Sequence, residues 1–178
     1  MFSGDLMSDC AIMYCILQDI KIESGTARRK LCNSGASALY GYTWRGFLKY
    51  DKDGNKVMRK KHPELKGKYL SKLWTDYPEL MDIFNEFRDY HFNGFQFSQV
   101  MINKNYPVGL HKDKNNVGVS TLISFGDYSG GKTRVYDDIH KRKIDYDSNC
   151  NPVQFNGSLY AHEVLPFTGE RYALVFFK

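Results

Sequence analysis

The 178-residue sequence lacks any apolar run long enough to cross a membrane. Its run from Ala11 to Leu17 falls far short of the ~20 residues a spanning helix needs. The opening Met1-Phe2-Ser3-Gly4-Asp5 places no basic segment ahead of that run, which argues against a secretory leader. Cysteine is sparse. Cys10, Cys15, Cys32 and Cys150 form no Cys-x-x-Cys pair and no zinc-finger spacing, so they read as free, mostly buried thiols of a reducing compartment. No repeat, linker or low-complexity segment interrupts the chain, and no stretch is poor enough in apolar residues to stay disordered. These absences lead us to expect a soluble, intracellular protein of the cytoplasm or nucleus without a membrane partner; its oligomeric state stays open, with a monomer favoured.

Aromatic residues are plentiful, with 13 Tyr, 12 Phe and 2 Trp, and the hydrophobic share is 42%. That supply, over this length, supports a single domain spanning 1–178 with a sizeable core. The net charge of +5 permits an anionic partner such as nucleic acid without demanding one.

Residues 1–62 read as an N-terminal extension with possible strands and basic loops. Within it, 9–23 fit a buried strand or a short helix, and their β-branched and aromatic content leans to strand. Asp51 to Asn55 has turn chemistry. It is not a calcium loop, because its Gly comes at the fourth position and the acidic closing residue is missing. Residues 63–92 read as two supporting helices, one from Pro63 to about Leu73 and one over about 77–91. The second carries Leu80, Ile83, Phe84, Phe87 and Tyr90 at helical spacing behind a start marked by Asp76, Pro78 and Glu79. His91 reads as a surface or core histidine.

From Phe95 onward the apolar period is two, with Gly, Pro and Asn between short runs, and 126–131 and 166–169 read as turns. The expected strands include Phe95–Asn103, Gly109–Asp113, Val117–Phe125, Lys132–Tyr136, Leu159–Val164 and Arg171–Phe177. The predicted fold is α+β but mainly β. It places N-terminal helices on a double-stranded β-helix (jelly roll, cupin-like) of about eight strands over 93–178.

Chemistry concentrates in His111-Lys112-Asp113. Residues i and i+2 of a strand point to one side, so an imidazole and a carboxylate would aim at one point. His162 would complete a two-histidine, one-carboxylate face, which suits non-haem Fe(II) and leaves positions open for substrate and O₂. Arg171 follows in the apolar strand Arg171–Phe177, expected as the antiparallel neighbour of the strand ending at His162, across a turn at 166–169. Buried there, it requires an anion, and a dicarboxylate cofactor that also chelates the metal supplies one. Asn103, on the strand leading in, could add a hydrogen bond.

These strings resemble the Fe(II)/2-oxoglutarate-dependent dioxygenases, whose motif is His-x-Asp, a distant His, and a basic residue some ten positions later. Within that superfamily the wording is similar to the TET/JBP group and its algal and protist relatives. It rests on Ile102-Asn103-Lys104-Asn105, His111 to Gly118, Phe125 to Gly131, Phe155 to His162 and Pro166 to Phe177. The likeness covers about residues 63–178. It implies iron held by His111, Asp113 and His162, with Arg171 on the distal carboxylate of 2-oxoglutarate and Asn103 and Tyr106 as further cofactor contacts. It also implies hydroxylation of a C–H bond, in the named group the methyl of 5-methylcytosine or thymine in nucleic acid, DNA before RNA. AlkB-type enzymes carry a second arginine that has no counterpart after Arg171. Asn115, Asn116 and Tyr128 are candidate substrate contacts; the alternatives are turn capping for the first two and pocket wall for the third. The basic clusters at 28–30, 56–61 and 141–143 read as ordinary solvated surface unless they share a rim. Tyr40, Tyr42, Trp44 and Phe47 read as core before base-stacking. The runner-up readings are a hydroxylase of a protein side chain or small metabolite on the same core, and a non-catalytic jelly-roll binding module.

Overall fold

The computed structural model describes residues 2–25, 34–45, 47–50, 56–58 and 67–178. The basic cluster at 28–30, the turn at 51–55 and the stretch 59–66 lie outside the described residues, as do the side chains of Trp44 and Phe47.

The N-terminal segment is a helix, α1 (Leu6–Gln18), where a strand was favoured. Asp5 caps it by accepting from the Ser8 N–H, and Cys10, Met13 and Leu17 form one buried stripe. Burial of that stripe outweighs the weak β-propensity of the sequence. Asp9 is buried too. Its carboxylate accepts from Ser3 N, Ser3 Oγ and Gly4 N and meets His91 Nε2 at 2.9 Å, which ties the chain start to α1 and to the end of a later helix.

Five short strands follow: β1 (Ala36–Tyr40), β2 (Tyr42–Arg45), β3 (Phe47–Tyr50), β4 (Lys56–Met58) and β5 (Gly67–Leu70). The helix expected from Pro63 to Leu73 is corrected here. Residues 67–70 pair antiparallel with β2, and among the described residues of that stretch only α2 (Lys72–Asp76), capped by Ser71, is helical. A partner strand distant in sequence decided this against the local pattern. Next comes α3 (Leu80–His91), burying Leu80, Phe84 and Phe87 as its periodicity requires.

The remaining strands are β6 (Gln99–Lys104), β7 (Ser120–Phe125), β8 (Tyr128–Gly130), β9 (Thr133–Asp137), β10 (Arg142–Tyr146), β11 (Val153–Phe155), β12 (Ala161–Val164), β13 (Phe167–Gly169) and β14 (Tyr172–Phe177). An antiparallel five-stranded sheet runs β1-β6-β14-β7-β11, beside a three-stranded sheet β10-β9-β12 and a pair β13-β8. One face of the large sheet carries Tyr40, Val100, Ile102, Ile123, Leu174 and Phe176 against the helices. Phe176 meets Phe84 edge-on at 5.9 Å, and Tyr40 meets Phe84 at 5.4 Å. Each such ring, fully buried, contributes about 1.5–3 kcal/mol. The other face carries Leu122, Val153 and Ala173 and turns to the smaller sheet through Phe155, which packs on His162 at 4.9 Å.

Three further expectations change. Gly109–Asp113 forms a single bridge, His111 to His162, instead of a strand. The stretches 126–131 and 166–169, read as turns, pair with each other as β8 and β13. Gly169 makes that close approach possible, with φ +97° and space for a Cβ only 2.2 Å from Asp127 O. Finally, β12 and β14 are not neighbours: β12 lies beside β9, and β14 between β6 and β7. No helix among the described residues is long and apolar enough to cross a membrane.

Candidate metal and carboxylate site

His111 and His162 exchange backbone hydrogen bonds of 3.0 and 2.9 Å, which fixes the two imidazoles side by side with ring centroids 4.2 Å apart. Asp113 is anchored separately, its N–H donating to Gly157 O at 2.9 Å. Asp113 Oδ1 then lies 3.3 Å from His111 Nε2, and Oδ2 lies 3.5 Å from His162 Nε2. One donor atom from each residue falls within 4.8 Å of the others, so the three could hold a metal ion. Each ring is also oriented from behind. His111 Nδ1 donates to Gly109 O at 2.7 Å, and His162 Nδ1 donates to Tyr160 O at 3.1 Å. A carbonyl can only accept, so both neutral rings carry their proton on Nδ1 and present the Nε2 lone pair to a metal.

The electrostatics of the three are uneven. The hydrogen bond to Asp113 raises the His111 pKa, while burial lowers that of His162. Gly157 was not singled out from sequence. A Cβ there would stand 2.7 Å from Asp113 Oδ2 and 3.1 Å from His162 Cε1, so the cluster closes only around a glycine.

Arg171 is 2% exposed, and its Nε and Nη2 have no hydrogen-bond partner. It lies just ahead of β14. Its backbone is pinned by Asn105, whose Oδ1 accepts from Arg171 N at 2.7 Å and whose N–H donates to Arg171 O at 2.8 Å. The guanidinium sits over the rings of Tyr128 and Phe167 at 5.5 and 5.6 Å. Burial pulls its pKa down, with Tyr128 acting the other way. A buried cation without an anion costs several kcal/mol. Something anionic belongs beside it.

Strand β9 connects the two ends. Val135 stands opposite His162, so both face the same interior. Gly131, four residues earlier, leaves room for Arg171 Nε, which a Cβ would meet at 3.1 Å. Between them Thr133 faces the same way and is buried, and its Oγ1 has no partner. Sequence reading missed Thr133, Gly157 and the pinning role of Asn105. The only signal for Thr133 is its place two residues after Gly131 on an alternating strand.

Of the other residues marked from sequence, Asn103 is buried on β6 with Oδ1 unpartnered, and Tyr106 is buried. Tyr128 lies with Arg171 and hydrogen-bonds Ser124 Oγ at 2.8 Å, so it stands at the guanidinium end. Asn115 is exposed beyond the triad, and Asn116 closes a turn by donating to Asp113 O and Ser120 Oγ.

No protein-family model matches the chain, and no curated protein matches it in sequence. Solved structures do match. An oxidoreductase of the 2OG-Fe(II) oxygenase family from Burkholderia pseudomallei aligns over 94% of this chain and 76% of its own, at TM-score 0.50 and 14% identity. NgTET1 in complex with 5mC DNA aligns over 99% and 68%, at TM-score 0.52 and 15% identity. The chain has the fold of the 2OG-Fe(II) oxygenases. A Pseudomonas putida prolyl-4-hydroxylase aligns over 99% and 88%, at TM-score 0.48 and 14% identity. The likeness is one of fold. The donors present fit the group that the fold implies. Two imidazoles and a carboxylate suit Fe(II), and unpartnered Arg171 N–H groups beside Thr133 suit a carboxylate.

Proposed function

We propose that this chain is an Fe(II)- and 2-oxoglutarate-dependent dioxygenase, one domain on a double-stranded β-helix core, that hydroxylates the methyl of a 5-methylpyrimidine in nucleic acid. One observation carries the oxidant: a His-Asp-His cluster shares an interior with a buried arginine that lacks an anion. Bound there, iron with 2-oxoglutarate and O₂ supplies an oxidant for an unactivated C–H bond, and 2-oxoglutarate ends as succinate and CO₂.

His111, Asp113 and His162 hold the metal, and the carbonyls of Gly109 and Tyr160 keep both Nε2 lone pairs turned to it. Arg171 takes the distal carboxylate through Nε and Nη2. Thr133 offers a hydroxyl on the way, and Asn103 and Tyr106 complete the wall. Tyr128 and Phe167 keep water from the guanidinium and add cation–π stabilisation of about 0.5–2 kcal/mol. His111 is the most open of the three donors, which leaves the substrate side next to Lys112 to Asn116. The nucleic-acid assignment is supported by the fold shared with NgTET1, solved with 5mC DNA, and by the net charge of +5. A base in a duplex must leave the stack to reach such an interior.

The test is succinate release with Fe(II) and 2-oxoglutarate, expected from the wild type and abolished in His111→Ala. Mass spectrometry of methylated DNA and RNA should then show a nucleoside heavier by one oxygen atom. Turnover confined to peptides or small molecules would refute the nucleic-acid assignment. Metal binding without any turnover would leave a binding module.

A further inference from the structure

Three chain segments leave the small sheet at one end. Ala161 stands opposite Tyr136, so the 156–160 loop and the tip of the β9–β10 hairpin emerge side by side. The segment after His111 joins them, through Asp113 N to Gly157 O at 2.9 Å and Lys112 Nζ at 3.9 Å from Asp138 Oδ2. This end lies beyond the triad and away from Arg171, whose neighbours Gly131 and Phe167 precede β9 and follow β12.

Two large apolar side chains, Ile139 (66% exposed) and Leu159 (48%), stand exposed on these adjoining segments. The same segments carry Lys112, Lys114, Lys141, Arg142 and Lys143. Against them stand Asp138, beside Lys112, and Asp137, which is engaged by His140 and Arg142. The hairpin tip is also held by its own hydrogen bonds. Asp137 accepts from His140 N, His140 Nδ1 and Arg142 Nε, and Lys141 takes a positive φ of 52°. A hydrogen-bonded turn thus presents Ile139 to solvent among cations.

We propose that this end of the small sheet docks a nucleic-acid duplex, with Ile139 and Leu159 entering the base stack beside a nucleotide turned out toward the triad. The proposal rests on the nucleic-acid reading above and assigns it a surface. Cations along the rim suit phosphates, and two separate aliphatic tips suit the gap that a displaced base leaves between its neighbours. A peptide partner would call for an apolar groove, whereas here the apolar groups are isolated prongs flanked by lysines.

The full chain, metal-free, is titrated with a labelled duplex over a salt series, and with a duplex carrying 2-aminopurine beside the 5-methylcytosine. Wild-type affinity should fall with salt, and Lys114→Ala and Lys141→Ala should each reduce the slope of log K against log salt by about 0.9, the value for one phosphate no longer neutralised. The double variant Ile139→Ala, Leu159→Ala should keep the slope and lose the rise in 2-aminopurine fluorescence. All four positions are exposed, and an unchanged thermal midpoint shows the variants folded. An unaltered slope in both lysine variants, or an unaltered fluorescence rise in the double variant, overturns the proposal. So does capture of an unstructured peptide in place of duplex. If these variants still oxidise methylated DNA at the wild-type rate, the docking surface is refuted while the nucleic-acid dioxygenase reading stands.

Discussion

A single methyl group added at residue 157 probes the metal centre without removing any of its donors. In Gly157→Ala the new Cβ would lie 2.7 Å from Asp113 Oδ2 and 3.1 Å from His162 Cε1. Ordinary C···O contacts settle at about 3.3–3.6 Å, so the carboxylate must retreat by about 0.6–0.9 Å. It cannot do so with its backbone, which is held by the Asp113 N–H to Gly157 O bond of 2.9 Å. The side chain must rotate instead. Metal–ligand distances tolerate only about 0.2 Å, and losing the support behind a ligand typically costs 10- to 100-fold in affinity. We therefore expect Co(II), used as a visible-absorption probe of the Fe(II) site, to bind Gly157→Ala about 10- to 100-fold more weakly than wild type. The fold should not suffer. Gly157 is absent from the positive-φ glycines, and alanine at a compatible position stabilises by about 0.4–1 kcal/mol through the unfolded chain. Thermal unfolding of the metal-free protein should show a midpoint equal to or slightly above wild type. Wild-type Co(II) affinity in the variant would refute the placement of Asp113 on the ion. A collapsed metal-free midpoint would mean that Gly157 serves folding and not the metal.

Two further expectations follow from buried charge. Arg171→Met removes a guanidinium whose Nε and Nη2 lack partners and substitutes an apolar side chain of similar length, so the variant without 2-oxoglutarate should be at least as stable as wild type. Its thermal midpoint should no longer rise with added 2-oxoglutarate, and a rise equal to that of wild type would sink the assignment of Arg171 to the distal carboxylate. At Asp137, burial pushes the carboxyl pKa up, but hydrogen bonds from His140 and Arg142 win and hold it at about 2, against an ordinary 3.8. Stability from this group is therefore complete above pH 3.8 and lost as pH falls through about 2. Asp137→Asn should narrow its stability gap to wild type across that window in acid-unfolding curves, and a gap that stays constant would contradict the linkage.

The helix Leu80–His91 was legible because its apolar positions recur at one helical face and its burial follows them. Helix α1 was not, since Ile, Tyr and Cys within it carry a weak local preference that packing of Met13 and Leu17 overrides. The distant partner strand β2 that turned 67–70 from helix to strand is likewise invisible locally. Gly157 and Thr133 escaped notice for a related reason. A lone glycine or threonine says nothing of what stands against it until distant segments meet.

By itself, the sequence determined the donor chemistry and its local grouping: an imidazole and a carboxylate two residues apart, a second imidazole, and an arginine in an apolar strand. It also determined that the chain from Phe95 alternates with a period of two. Which strands pair was decided only by the tertiary structure. Alternation tells which face a residue takes and not which neighbour it finds. Thus Arg171 reaches the common interior not from a strand beside His162 but from the segment leading into β14, in the other sheet, with Asn105 holding it there. That the triad and the guanidinium come from different sheets is likewise settled only by the tertiary fold.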